Sequence, residues 1–326
     1  MIKNPKISVI MSVYNGEHYL AQAIESILNQ TFQDFEFIII NDGSTDRSEE
    51  IIKSYDDDRI ILINQQHKGL IYSLNYGLQK AKAKYIARMD GDDISLPDRL
   101  AIQLSFMEKH DDIGVLGTGC QFIDHLGFLT GEKLNRQGEH FEILNSILKA
   151  KGYVSIIHPT VMIRKDLLLR VGGYNERFPV CEDVDLFLRI AKISKLHVIP
   201  DMLLLYRLHQ ESVSVTKRHI QLQSGIITRV CYYLREKGLK DPSLYDEEAW
   251  KQFRRIVDKT IRLYGLYRAD DARIQLSSQL SGDKGLLKYL KFLVFIAFRP
   301  HLIVGLFAKR KWNLAINRIV NEISSR

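Results

Sequence analysis

The sequence predicts an α/β fold, with a mostly parallel central sheet flanked by helices and a helical C-terminal appendage. Three observations predict it. Short apolar, β-branched runs alternate with polar turns and helix-length amphipathic stretches through the first 90 residues, and such crossover connections make neighbouring strands parallel, with helices on both faces. Three carboxylates, Asp90, Asp92 and Asp93, crowd around Gly91 just after one of those runs. The charge balance then changes sign: residues 217–326 hold 22 Lys or Arg against 10 Asp or Glu, leaving 24 against 29 in the first 216, out of totals of 46 and 39.

In order, Ile7–Val13 reads as a strand, Tyr14-Asn15-Gly16-Glu17 as a turn, and His18 to Gln30 as a helix with apolar positions Leu20, Ala23, Ile24, Ile27 and Leu28. Phe35–Ile40 is a second strand, stopping at Asn41-Asp42-Gly43-Ser44-Thr45-Asp46 before a helix from Ser48 to Tyr55. Ile60–Ile63 is a third, followed by a turn ending in Lys68-Gly69 and a helix from Leu70 to Ala81. A fourth ends with Tyr85-Ile86-Ala87 and leads into Arg88-Met89-Asp90-Gly91-Asp92-Asp93. Parallel sheets bind ligands beyond the carboxyl ends of their strands, so the turns at Tyr14, Asp42, Lys68 and Asp90 are expected to converge on one crevice. Carboxylates at that density repel one another, and a hard divalent cation, Mn²⁺ or Mg²⁺, sharing phosphate oxygens would relieve the repulsion. The plain alternative is a solvated acidic turn with Gly91 at a positive φ. Lys68 and Arg88 are placed to meet a diphosphate or, alternatively, to be solvated surface charges.

Further along, Tyr153 to Arg164 contains His158-Pro159, read as a structural histidine donating to backbone. Gly172-Gly173 is a turn bringing backbone near a ligand, with Tyr174 offering a flat face to a sugar; an ordinary loop is the alternative. Cys181-Glu182-Asp183 opens a helix with apolar positions Val184, Leu186, Phe187 and Ile190. An acidic pair there also suits helix capping and the macrodipole. Leu203 to Ser212 is a strand running into a polar turn, where His209 is a candidate metal ligand and Arg207 a candidate phosphate partner.

Taken in order, Val13-Tyr14-Asn15-Gly16-Glu17, Asn41 to Asp46, Ala81 to Asp93 and Cys181 to Leu186 resemble the motifs of the inverting family 2 glycosyltransferases with the GT-A fold, a Rossmann-like architecture. The resemblance covers roughly the first two-thirds of the chain. It implies that Val13, Tyr14 and Glu17 line the base and ribose, that Asp42 accepts a hydrogen bond from a uracil-type ring, and that Asp90 and Gly91 lie against the ribose. It implies Asp92 as ligand to the metal that bridges the diphosphate, and Asp183 as the base that deprotonates the acceptor hydroxyl in a direct, inverting displacement. Some relatives carry a metal-binding histidine where His209 stands. Gly173, Tyr174 and Glu182 fall beside the acceptor or donor sugar. Many relatives have Asp where Asn41 stands, so no role is carried over to that position.

The expected domains are 1–216, catalytic and nucleotide-sugar-binding, and 217–326, basic, helical and membrane-associating. Cys120, Cys181 and Cys231 have no metal-ligand spacing and point to a reducing compartment. Met1 to Pro5 leads directly into the first strand, which leaves no room for a signal peptide. The apolar stretches between Gly285 and Trp312 are broken by Lys288, Lys291 and Arg299-Pro300, too short for the about 20 apolar residues a bilayer span needs. Their flanking cations and aromatics suit a helix lying on an anionic leaflet, the alternative being packing on protein. The expected setting is therefore cytoplasmic, peripheral on the inner face of the membrane, with a nucleotide-sugar donor, a saccharide acceptor of lipid-linked, polyprenyl-diphosphate type, and no nucleic acid. Two other classes compete. A sugar-nucleotide pyrophosphorylase would open with a glycine-rich basic loop, which Val13–Glu17 is not; a non-catalytic protein binding through its basic tail would need neither Asp92 nor Asp183.

Overall fold

Phe35, Phe37, Ile38, Ile39 and Ile40 are all fully buried, as a strand covered by helices on both faces requires. The computed structural model describes residues 4–134, 137–148, 156–210, 218–264, 266 and 308–324. In it β1 (Ile7–Val13), β2 (Phe35–Asn41), β3 (Ile60–Asn64) and β4 (Tyr85–Asp90) are parallel, in the order β3-β2-β1-β4. They are linked by α1 (Leu20–Leu28), α2 (Ser48–Lys53) and α3 (Leu70–Lys80). α1 buries Leu20, Ala23, Ile24 and Ile27, one stripe of a 3.6-residue repeat. α3 lies close on the sheet at Gly77, where a Cβ would come within 2.7 Å of Ile10 and 2.9 Å of Ile40.

The sheet continues beyond β4 in a way the strand–helix alternation does not foretell. β5 (Ile94–Ser95), β6 (Ile113–Ile123), β7 (Leu129–Leu134), β8 (Met162–Arg164) and β9 (Lys195–Arg207) extend it as β4-β8-β6-β9-β5, with β7 on β6. β8 is antiparallel to both β4 and β6, while β6 and β9 pair in parallel. The carboxyl ends of β1, β2, β3, β4, β6 and β9 therefore share one edge. α4 (Arg99–Lys109), α5 (His140–Leu148), α6 (Lys165–Arg170) and α7 (Glu182–Ile190) complete this part of the chain.

Several boundaries differ from expectation by one or a few residues, three of them for a visible reason. β4 runs on through Arg88 to Asp90, because Arg88 and Asp90 keep their pairing with Ile10 and Ser12 of β1 and satisfy each other's charge. The first helix starts at Leu20 because Tyr19 and Leu20 both donate their N–H to Gly16 O in a tight turn. The second ends at Lys53, where Ser54 turns its hydroxyl back to Ile51 O.

The chain divides into two compact units, 1–147 with 153–216, and 148–152 with 217–326. In the second, α8 (Arg218–Glu236), α9 (Glu247–Leu263) and α10 (Ala308–Ser324) pack on one another. They bury Ile226, Val230, Trp250, Phe253, Val257, Ile316 and Ile319, and Asp246 caps α9 by accepting from Ala249 N at 2.8 Å. No helix among the described residues is long and apolar enough to cross a membrane. Residues 267–307, which carry most of the expected surface-lying segment, lie outside the described residues.

Candidate active site

The turns after β1, β2 and β3 are bound into one wall. Asn15 adopts φ 51°, relieved by its Oδ1 accepting from Thr45 N at 2.8 Å. Gly16 N donates to Ser48 Oγ, Glu17 N to Asp46, and Arg47 N to Glu17, all at 2.9–3.0 Å. Val13 is buried, and its carbonyl accepts from Asp42 N at 2.8 Å. Glu17 thus serves as a strut between two loops.

Asp42 is buried, and its oxygens are taken up by the chain itself: Lys68 N and Gly69 N donate at 2.8 Å, the Gln65 amide at 2.6 Å, and His67 Nδ1 stands 2.9 Å away. Burial alone would raise its pKa, but the backbone N–H of Lys68 and the amide of Gln65 outweigh it and hold the carboxyl below its usual value. The resemblance implies a uracil-type ring at Asp42; in the structure its three donors, Gln65, Lys68 and Gly69, close the β3–α3 turn. The exposed surface of this wall is instead Tyr14, half exposed, with His67 stacked on it at 4.0 Å between centroids. Lys68 is exposed, with its Nζ 3.1 Å from Tyr72 Oη and over that ring.

The acidic turn forms the next wall. The nearest ligand oxygens of Asp90, Asp92 and Asp93 all lie within 4.8 Å of one another. His209 Nε2 stands 2.9 Å from Asp92 Oδ2, across 117 residues of sequence. Asp93 is buried and accepts Arg207 N through Oδ1 at 2.9 Å, while its Oδ2 is buried with no hydrogen-bond partner among the described residues. Burial first, and then the neighbouring carboxylates, push Asp93 well above the usual carboxylate range; Asp90 is also raised, by burial, against the pull of Arg88. Crowded carboxylates, an orphaned buried oxygen and an adjacent imidazole form a donor set that fits a hard divalent cation. Gly91 is not in the left-handed region, which removes the simple glycine-turn explanation of the cluster.

Three arginines hold this turn, none as expected. Arg88 is buried inside β4, paired with Asp90 and with Met89 O, and meets no open surface where a diphosphate would sit. Arg99, absent from the sequence reading, is fully buried on α4 and donates to Arg88 O at 2.7 Å; burial pushes it down to about 9, against the pull of Asp93. Arg207, expected at a phosphate, is 2% exposed and ties Asp92 O (2.8 Å), Asp124 O (3.2 Å) and Gln22 Oε1 (2.6 Å) together. Its guanidinium lies 4.5 Å over the Tyr19 ring. Arg207→Met is expected to leave these carbonyls without their donor and to cost roughly 3 kcal/mol of stability, measured as a lower urea midpoint. An unchanged midpoint would remove Arg207 as the brace of the turn.

The third wall is the start of α7. Cys181 takes a left-handed φ of 62°, and Glu182 and Asp183 follow in the first turn. Asp183 is partly exposed, while Glu182 is buried. Burial raises both carboxyls, Glu182 to about 8, where the charge of Asp183 adds to the effect. The charge of Arg88 pulls the other way. Gly173 has φ 70°, and a Cβ there would meet Asn75 Oδ1 at 2.5 Å, so its close approach is to α3, where the sequence predicts a ligand. Tyr174 is buried, clasped by Asn75 at its N–H and its C=O, both 2.8 Å; its ring is not the open platform the sequence predicts. Its hydroxyl stands 2.8 Å from His158 Nε2. His158, expected to bond backbone, instead has side-chain partners.

The comparisons agree with this architecture. The family model "Glycosyl transferase family 2" matches residues 8–172. The putative glycosyltransferase EpsE of Bacillus subtilis is 42% identical over 58% of this chain and 68% of its own length. The O-antigen biosynthesis glycosyltransferase WbnJ of Escherichia coli is 39% identical over 63% of this chain and 81% of its own. Among solved structures, S. aureus TarS 1-349 in complex with UDP superposes with TM-score 0.56 at 17% identity, covering 98% of this chain and 91% of that one. The mannosyltransferase PcManGT of Pyrobaculum calidifontis, in complex with GDP-Man and Mn²⁺, does so with TM-score 0.54 at 15% identity, over 97% and 87%. The structural neighbours share the GT-A fold. With an ordered set of family motifs on that fold and a family match over half its length, the chain belongs to glycosyl transferase family 2 and is a glycosyltransferase.

Proposed function

We propose that the chain transfers a sugar, with inversion, from a UDP-sugar to a saccharide acceptor in the building of a surface polysaccharide. The observation that carries the reading is the meeting of Asp92 and His209 at 2.9 Å beside two further carboxylates, with the charge of Asp90 acting on Glu182 and Asp183. The UDP bound to TarS and the O-antigen role in the name of WbnJ support the donor and the product class; GDP-mannose in PcManGT marks the competing donor. Asp92 and His209, with Asp90 or Asp93, would hold Mn²⁺ or Mg²⁺. Such an ion, when bound, supplies positive charge to the diphosphate leaving group.

The remaining steps fall to the chain's own groups. Tyr14 offers a partly exposed ring against which a base packs, with His67 stacked on it and Lys68 at the rim. Asp183 accepts the acceptor hydroxyl proton as that oxygen bonds to the anomeric carbon; the carbon–oxygen bond to the diphosphate breaks on the opposite face, and its electrons leave with the diphosphate. Placing the catalytic base at a helix start lets its own Oδ1 hold Val184 N at 2.7 Å, which fixes its rotamer. Titrating UDP into the full chain by calorimetry, with and without Mn²⁺, tests the donor site: binding at least about tenfold tighter with the ion is expected, a gain of about 1.4 kcal/mol. GDP binding more tightly than UDP would replace the donor; no nucleotide binding would defeat the reading.

We further propose that the basic tail holds the enzyme on the cytoplasmic membrane face, where a lipid-linked acceptor is presented. Neutralising Lys288, Lys291, Lys309, Arg310 and Lys311 as Gln is expected to release the chain from anionic vesicles, at about 1 kcal/mol per surface cation. Vesicle co-sedimentation that these changes leave intact would sink the idea.

A further inference from the structure

Behind the candidate base lies a buried row of polar side chains that neither the donor site nor the metal cluster uses. Tyr174, His158 and Glu182 are 7%, 8% and 8% exposed. Tyr174 Oη stands 2.8 Å from His158 Nε2, and His158 Nδ1 stands 3.6 Å from Glu182 Oε1. The row is anchored at its far end: Asn75 of α3 holds both backbone polar groups of Tyr174, and Gly173 has no room for a side chain against Asn75. At its near end Glu182 is the first residue of α7, covalently next to Asp183. Buried polar groups are costly unless satisfied, so a row of three drawn from three separate segments is a specific arrangement rather than incidental packing.

We propose that Tyr174, His158 and Glu182 form a positioning chain for Asp183, in which His158 fixes Glu182 away from the substrate and so presents the Asp183 carboxylate to the acceptor. The inference rests on the reading of Asp183 as base and reassigns Glu182, His158 and Tyr174 from sugar contact or structural filler to that role. The row also sets the charge of the pair. The titratable and charged groups that face Glu182 are Arg88 and Asp90 of β4, His158, Tyr174 and Asp183. Burial, then the Asp183 charge, pushes Glu182 up to about 8, and burial holds His158 well below its usual value. Burial thus works against charge on every member of the row. A chain of neutral groups orients a base without competing with it for the proton, the logic by which a buried partner fixes the orientation of a metal-ligating or catalytic side chain.

The test uses the full-length protein labelled with ¹⁵N at histidine. His158 is expected to titrate well below the ordinary histidine range, as its burial requires; Tyr174→Phe is expected to move its Nε2 resonance, and Glu182→Gln its Nδ1 resonance. Resonances that neither change disturbs, or a His158 that titrates near its ordinary value, would overturn the chain. Release of UDP from UDP-GlcNAc in the presence of Mn²⁺, with water as acceptor, gives the second readout. His158→Ala is expected to lower turnover about 100-fold and His158→Gln about 10-fold, with the KM for the donor unchanged, the range found when an outer hydrogen-bond partner is removed. Unchanged turnover and pH profile in both variants, or a loss confined to donor KM, would sink the positioning role. Asp183→Asn in the same assay separates the two readings: full hydrolysis there would overturn Asp183 as base and the positioning role with it, while the resonances would still report whether the row exists.

Discussion

Asp183→Asn should abolish glycosyl transfer while leaving the binding of UDP and Mn²⁺ nearly intact. Asparagine keeps the shape and the oxygen that accepts Val184 N at 2.7 Å, so the start of α7 should be preserved. What is lost is the proton acceptor, and a positioned general base contributes about 10²–10⁴ in rate. The stability change should run the other way. Burial raises the Asp183 pKa in the fold; a carboxyl with a raised folded pKa opposes folding once the pH exceeds its unfolded value, and that cost is complete above the folded value. A neutral isostere removes the cost, so the variant should melt at the same temperature as the parent or higher at neutral pH. An inactive, equally stable protein that still binds nucleotide is the expected combination. Transfer at the parental rate would take the base role from Asp183, and loss of nucleotide binding would show the substitution to have damaged more than the base.

Asp92→Ala should weaken Mn²⁺ by at least about 100-fold, more than the loss of an outer-shell partner costs, and should weaken UDP measured with Mn²⁺ in parallel. It removes the carboxylate that meets His209 and so breaks one of the contacts between the acidic turn and the segment at and after the end of β9. It also removes a repulsion, since the Asp92 charge helps to raise both Asp90 and Asp93. The metal-free variant should therefore be no less stable at neutral pH, even as it loses the ion. A related pH dependence follows for the parent. Protons held by the raised Asp93 and Asp90 must leave before a cation enters, so Mn²⁺ affinity should rise with pH through their range and fall as the pH is lowered. Calorimetry at two pH values checks this, and an affinity that rises on acidification would contradict a carboxylate site.

The acidic turn, the Glu182-Asp183 helix start and the four parallel strands were readable because each is local. Continuous apolar runs and stripes of period 3.6, punctuated by polar turns, report the strand–helix alternation directly, and parallel topology then gathers the turns at one edge. The short, antiparallel β8 between β4 and β6 carries too few residues to show a period. A buried strand is expected to be apolar, which ends β4 at Ala87 on pattern alone; Arg88 and Asp90 continue it because they neutralise each other.

What the sequence by itself determined is which chemistry the chain carries: an α/β scaffold, a carboxylate-rich turn suited to a divalent cation, and an acidic pair opening a helix. What only the tertiary structure decided is how that chemistry is held. Gln22 reaches Arg207 across 185 residues, His209 reaches Asp92 across 117, and Asn75 grips Tyr174 across 99. Whether Arg207 and Arg88 meet phosphate or brace a buried turn, and whether Tyr174 faces a sugar or a histidine, depends on which segments the sheet brings side by side. Burial then sets the cost of each charge, and a side chain's desolvation and partners belong to the folded neighbourhood rather than to its place in the chain.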